Sequence, residues 1–138
     1  MYKQFKIICV ICVLWLSCQP NKEQKTEFTT LLETTTSWNG ATLPEYPAGQ
    51  PKITILKAVI PPHTQLDSHK HSVINAAVML DGELTVVTES NDTLHVKAGD
   101  AFEEVVNTWH YGINETDKPA ELIIFYAGID GGTNTVLK

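Results

Sequence analysis

Between residues 52 and 128 the chain is a succession of short strand-like runs, each stopped by a turn signal, and this rhythm restricts the available folds most. KITILKAVI (52–60) alternates in polarity before Pro61-Pro62. SVINAAVML (72–80), ELTVVTE (83–89), TLHVKA (93–98), AFEEVV (101–106) and ELIIFYAG (121–128) follow. Asp81-Gly82, Ser90-Asn91-Asp92, Ala98-Gly99-Asp100 and the segment from Asn114 to Pro119 separate them. No stretch has the period of a long amphipathic helix. Runs of this kind at roughly eight- to twelve-residue spacing predict an antiparallel sandwich or barrel. Upstream, ETTTSW (33–38) reads as a further short strand ended by Asn39-Gly40, and LPEYPAGQP (43–51) as loop. A chain of 138 residues supports one core rather than two.

The N-terminal end has a different character. Residues 1–18, MYKQFKIICVICVLWLSC, carry Lys3 and Lys6 and then an apolar run from Ile7 to Leu16. That run is short for a bilayer span and matches the hydrophobic part of an export signal. It ends at Ser17-Cys18, and the chain turns polar at once. The pattern resembles a bacterial lipoprotein signal, which implies a lipid anchor on Cys18 and a periplasmic or outer-membrane location. Trp15 stands where that motif usually has leucine, so an ordinary cleaved signal with an incidental cysteine is the alternative. Residues 19–32 read as a polar tether, and the domain is expected over 33–138. All three cysteines (Cys9, Cys12, Cys18) lie in the leader, which leaves no disulfide or thiolate ligand for the fold.

Charge narrows the partners. The ten basic residues are all lysines, they face sixteen acids, and the net charge is −6. An acidic chain without arginine is a poor nucleic-acid binder. It also lacks the bidentate clamp that suits phosphorylated substrates. A neutral or weakly anionic small molecule is the expected substrate.

The chemistry concentrates in DSHKHSVINAAVMLDG (67–82). In extended chain, residues two apart face the same side. His69, His71 and Asn75 therefore share a face if the segment is extended throughout, as do Ala77 and Met79, while Lys70 and Ser72 face away. His-x-His on a strand offers two nitrogen ligands to one ion and needs a third from elsewhere.

Two spaced motifs can be traced through the region. The first, Gly-x5-His-x-His-x3-Glu-x6-Gly, runs over His63, His69, His71, Asn75 and Gly82. The second, Gly-x5-Pro-x-Gly-x2-His-x3-Asn, runs over Gly99, Val105, Asn107, His110 and Asn114. With every spacing kept, residues 50–127 resemble a small single-domain cupin. The resemblance implies an all-β jelly-roll barrel, the cupin double-stranded β-helix, with His69, His71 and His110 holding a divalent transition metal (iron, manganese, nickel, copper or zinc). It also implies dioxygenase chemistry of the quercetinase type, or lyase or isomerase chemistry on sugar-derived ketones. Small cupins of this kind often pair into homodimers.

The departures shape the expectation. Asn75 stands where the family has a carboxylate ligand, leaving a weak amide donor or a hydrogen-bond partner for substrate. His63 and Asn107 replace turn glycines; asparagine accepts a left-handed backbone more easily than histidine does. Glu104 shares parity with Phe102, so it points inward as a ligand or a general acid/base if Phe102 packs inside. A local bulge would instead turn Glu103 and Glu104 to solvent. His95 reads as surface, His63 as a turn residue, and Trp109 and Tyr111 as packing residues facing away from His110. Met79 and Tyr126 are candidate cavity residues. The reading that follows is an exported metal-dependent enzyme, and the alternative is a non-catalytic envelope protein that binds a small ligand or a metal.

Overall fold

The computed structural model describes residues 24–138. The expected export segment 1–18, with Cys18, and the part of the expected tether before residue 24 lie outside the described residues. Ten strands follow one another: β1 (Pro51–Ile60), β2 (Thr64–Gln65), β3 (His69–His71), β4 (Asn75–Asp81), β5 (Glu83–Thr88), β6 (Thr93–Lys97), β7 (Ala101–Glu103), β8 (His110–Asn114), β9 (Ala120–Ile129) and β10 (Thr135–Leu137). They form two sheets. One has the order β1-β9-β4-β7; the other has the order β10-β3-β8-β5-β6, with β2 also paired to β8. All strand pairs are antiparallel. The result is a double-sheet jelly-roll barrel.

Alternation builds the interior. β4 buries Asn75, Ala77 and Met79, β5 buries Leu84, Val86 and Thr88, and β8 buries His110, Gly112 and Asn114. Ile60, Ala77, Met79, Leu84, Val86, Val96, Phe102, Ala120 and Leu122 form the core. A side chain as buried as Met79, at 1% exposure, contributes about 1.5–3 kcal/mol. His95 is exposed on β6, where its Nδ1 lies 2.9 Å from the Thr85 hydroxyl.

The turns explain the motif positions that a glycine would occupy. Gly82 has φ 73°, and a Cβ there would lie 2.4 Å from the Pro119 carbonyl oxygen. His63 (φ 52°) and Asn107 (φ 54°) hold the same left-handed backbone without being glycine. The His63 ring lies 2.9 Å from the Asp117 carboxylate. The Asn107 N–H donates to the His71 carbonyl at 2.7 Å, tying the loop before β8 to β3.

Three local expectations are corrected. ETTTSW forms no strand, only an isolated Thr36–Thr42 bridge. The Thr34 hydroxyl accepts from the Thr36 N–H at 3.0 Å and donates to the Thr36 carbonyl at 2.8 Å, a local turn that competes with a ladder. The 67–79 segment is not extended throughout: it breaks at Ser72–Ile74, where the chain leaves one sheet for the other and Ser72 N–H donates to the Asn134 carbonyl. AFEEVV stops being a strand after Glu103, and Phe102 through Val105 are all buried in sequence.

Candidate metal centre

Three imidazoles meet at one end of the barrel. β3 and β8 pair with His69 directly opposite His110, which places both rings side by side on the inner face. His71 lies two residues on, on the same face. Ring centroids are 4.5 Å apart for His69–His110 and 5.0 Å apart for the other two pairs. One ring nitrogen from each lies within 4.8 Å of the others.

The other ring nitrogens are occupied, and this decides what the site can do. His69 Nδ1 lies 2.7 Å from the Asp67 carbonyl and His110 Nδ1 lies 2.8 Å from the Thr108 carbonyl. A carbonyl only accepts, so both Nδ1 atoms carry the proton and both Nε2 atoms present a lone pair. His71 Nδ1 lies 3.0 Å from the Thr135 hydroxyl on β10, and the Asn134 carbonyl also favours a proton there. Metal-ligating histidines are oriented by such partners. Burial, and then the neighbouring His110 and His69, push the His71 pKa from 6.5 down to about 3. Burial also lowers that of His110. Both rings are neutral at neutral pH, with His110 Nε2 buried and without a hydrogen-bond partner. This donor set fits a divalent transition ion.

Acids approach from the other sheet. Glu104 is 9% exposed, and its Oε2 lies 3.6 Å from His110 Nε2, also unpartnered. Its orientation comes from the chain leaving β7: Glu104 N–H donates to the Asn75 carbonyl at 3.0 Å, and Ser37 Oγ donates to the Glu104 carbonyl at 2.8 Å. Burial, with Glu103 second, lifts the Glu104 pKa from 4.5 to about 7. Burial lifts Glu103 to about 7 as well, against the Asn75 backbone amide. At neutral pH the 3.6 Å contact is therefore not a full ion pair, because burial favours the uncharged form of each partner.

Asn75 is fully buried on β4, and neither its amide oxygen nor its amide nitrogen has a partner. It does not line the cavity beside the histidines, whose wall is Ala58, Ile60, Leu66, Leu84, Val86, Gly112, Leu122 and Ile124 with Glu104. Met79 packs in the core. Tyr126 stands with its ring 5.4 Å from His71, and burial raises its pKa. Trp109 turns outward beneath Lys70, whose Nζ is 5.0 Å from the ring. Thr135 is the residue that sequence reasoning missed; the Thr-x-Thr-Val alternation after Gly131-Gly132 was its only signal.

No curated protein matches the chain. Among solved structures it is similar to the DMSP lyase DddQ from Ruegeria pomeroyi, at 20% identity and TM-score 0.54 over 62% of this chain and 43% of that one. A cupin-like protein from Thermotoga maritima aligns at 16% identity and TM-score 0.56, covering 62% of this chain and 64% of that one. A mutant of Bacillus subtilis oxalate decarboxylase aligns at 18% identity and TM-score 0.54, covering 62% and 23%. The chain spans less than half the length of the lyase, and at these identities the likeness concerns the fold. Residues 56–126, just over half of the chain, match the cupin domain family, and this chain therefore belongs to it.

Proposed function

We propose that this protein is an exported metal-dependent enzyme acting on a small organic molecule, with His69, His71 and His110 as the metal ligands. The observation that carries the reading is the set of three imidazoles with Nδ1 engaged and the opposite nitrogens turned toward one another. When bound, a divalent transition ion supplies Lewis acidity toward a substrate oxygen. Glu104 moves the proton: a carboxyl with a pKa near 7 both accepts and donates at neutral pH, and it sits against His110. The pairing of a Lewis acid with such a base suits dioxygenase, lyase or isomerase chemistry. Asn75 does not line the cavity beside the histidines, and its buried, unpartnered amide is left outside the ligand set. Export rests on the leader, and lipid attachment on Cys18.

Elemental analysis of a soluble form beginning after Cys18, beside His69→Ala/His71→Ala, tests the centre. About one equivalent of a transition metal in the wild type and none in the variant is expected. Absence of metal in both, even after reconstitution, would leave the alternative of a ligand-binding barrel. For the anchor, Cys18→Ser should move the full-length protein from the membrane to the soluble fraction.

A further inference from the structure

The cavity beside the histidines is small, with a volume of about 60 Å³. A water needs about 10–15 Å³ on this measure, so the space takes roughly four to six water-sized groups, a bound ion being one of them. Flavonols and sugar-derived ketones are larger than this. The walls are chemically one-sided as well. Beyond His69, His71, His110 and Glu104, every lining residue among the described residues is apolar or glycine, and no lysine among them lines the cavity. A second charged group on a ligand would meet only hydrocarbon, which leaves it desolvated and unpaired.

Gly112 lines this space. It follows His110 by two on β8 and faces inward with it. A Cβ at this position would lie 3.4 Å from both Leu66 Cδ1 and Leu84 Cδ2, so the missing side chain is the gap between those two leucines.

Resting on the metal reading above, we infer that the site takes short-chain monocarboxylic acids: one carboxylate head toward the histidines and a tail of one or two carbons along Gly112. Gly112 and Leu66 are the specificity-determining residues. The head satisfies the polar end of the cavity, and the tail buries hydrocarbon against Leu66, Leu84 and Val86.

The test uses the full-length protein loaded with cobalt(II), whose visible spectrum reports ligand binding without turnover. Acetate, propionate, β-alanine and benzoate are titrated in turn. Acetate and propionate are expected to shift the spectrum, and β-alanine, whose tail ends in a charge, and benzoate to bind at least about tenfold more weakly. Gly112→Ala should weaken propionate about tenfold while changing acetate less than about twofold. Leu66→Ala, at a half-buried position, should admit benzoate. Benzoate binding as tightly as acetate to the wild type, or an unchanged ranking in both variants, would overturn the size assignment alone. Failure to take up cobalt would overturn the metal reading and this inference together.

Discussion

The six-stranded and the four-stranded sheet bring opposite acid–base chemistry to one cavity. β3 and β8 of the first supply three imidazoles, two of them with pKa values pushed down. The end of β7 in the second supplies Glu104 to the cavity, and β9 sets Tyr126 against His71, both with pKa values pushed up. One cause acts on both sides, since burial penalises whichever form is charged. The difference between the sheets is therefore one of residue type under a common environment. It leaves bases that hold free lone pairs facing an acid poised near neutrality.

The comparison breaks most visibly at the histidines. His71→Ala is expected to weaken metal retention by well over a hundredfold, since it deletes a ligand rather than a supporting contact. Retention of a full equivalent after dialysis against a chelator would contradict the assignment. Thr135→Val keeps the ring but removes the hydroxyl at its Nδ1. Its metal affinity should fall by about 10–100-fold, measured by competition with a coloured chelator.

Glu104→Gln probes the opposite wall through pH. The Glu104 pKa of the folded protein, about 7, lies above the ordinary 4.5. Its contribution to stability is fully present below pH 4.5 and is lost as pH rises through 7. His71, lowered from 6.5 to about 3, works the other way: its contribution is present above 6.5 and is lost as pH falls toward 3. In the metal-free protein, Glu104→Gln should gain on the wild type between pH 5 and 8 by on the order of 2 kcal/mol, read as a widening gap in Tm. A gap that stays constant across that range would show that Glu104 does not titrate there. The smallest effect belongs to the outer face of the six-stranded sheet. His95→Ala should change stability by less than about 0.5 kcal/mol and leave metal content unchanged.

The corrections share a pattern. Parity correctly put Asn75, Ala77 and Met79 on one buried face, because period two is a property of a single strand. It also aligned His71 with Asn75, although the chain breaks between them. For Glu104 the geometry of a continuing strand was the wrong reason for an inward side chain. Phe102, Glu103, Glu104 and Val105 are buried together because the loop carrying Ser37 and Trp38 covers the edge of β7. Nothing local to AFEEVV records that cover.

By itself, the sequence determined the β-rich architecture, the turns at Gly82, Gly99 and Asn107, and the spacing of His69, His71 and His110. These depend on local periodicity and backbone preference, which neighbouring residues carry. Tertiary structure alone decided that the Thr135 hydroxyl fastens the His71 imidazole. It also decided that Glu103 and Glu104 are both buried and that Gly112 leaves a gap between Leu66 and Leu84. Each of these joins segments far apart in the chain, and desolvation and cavity volume exist only once those segments have packed.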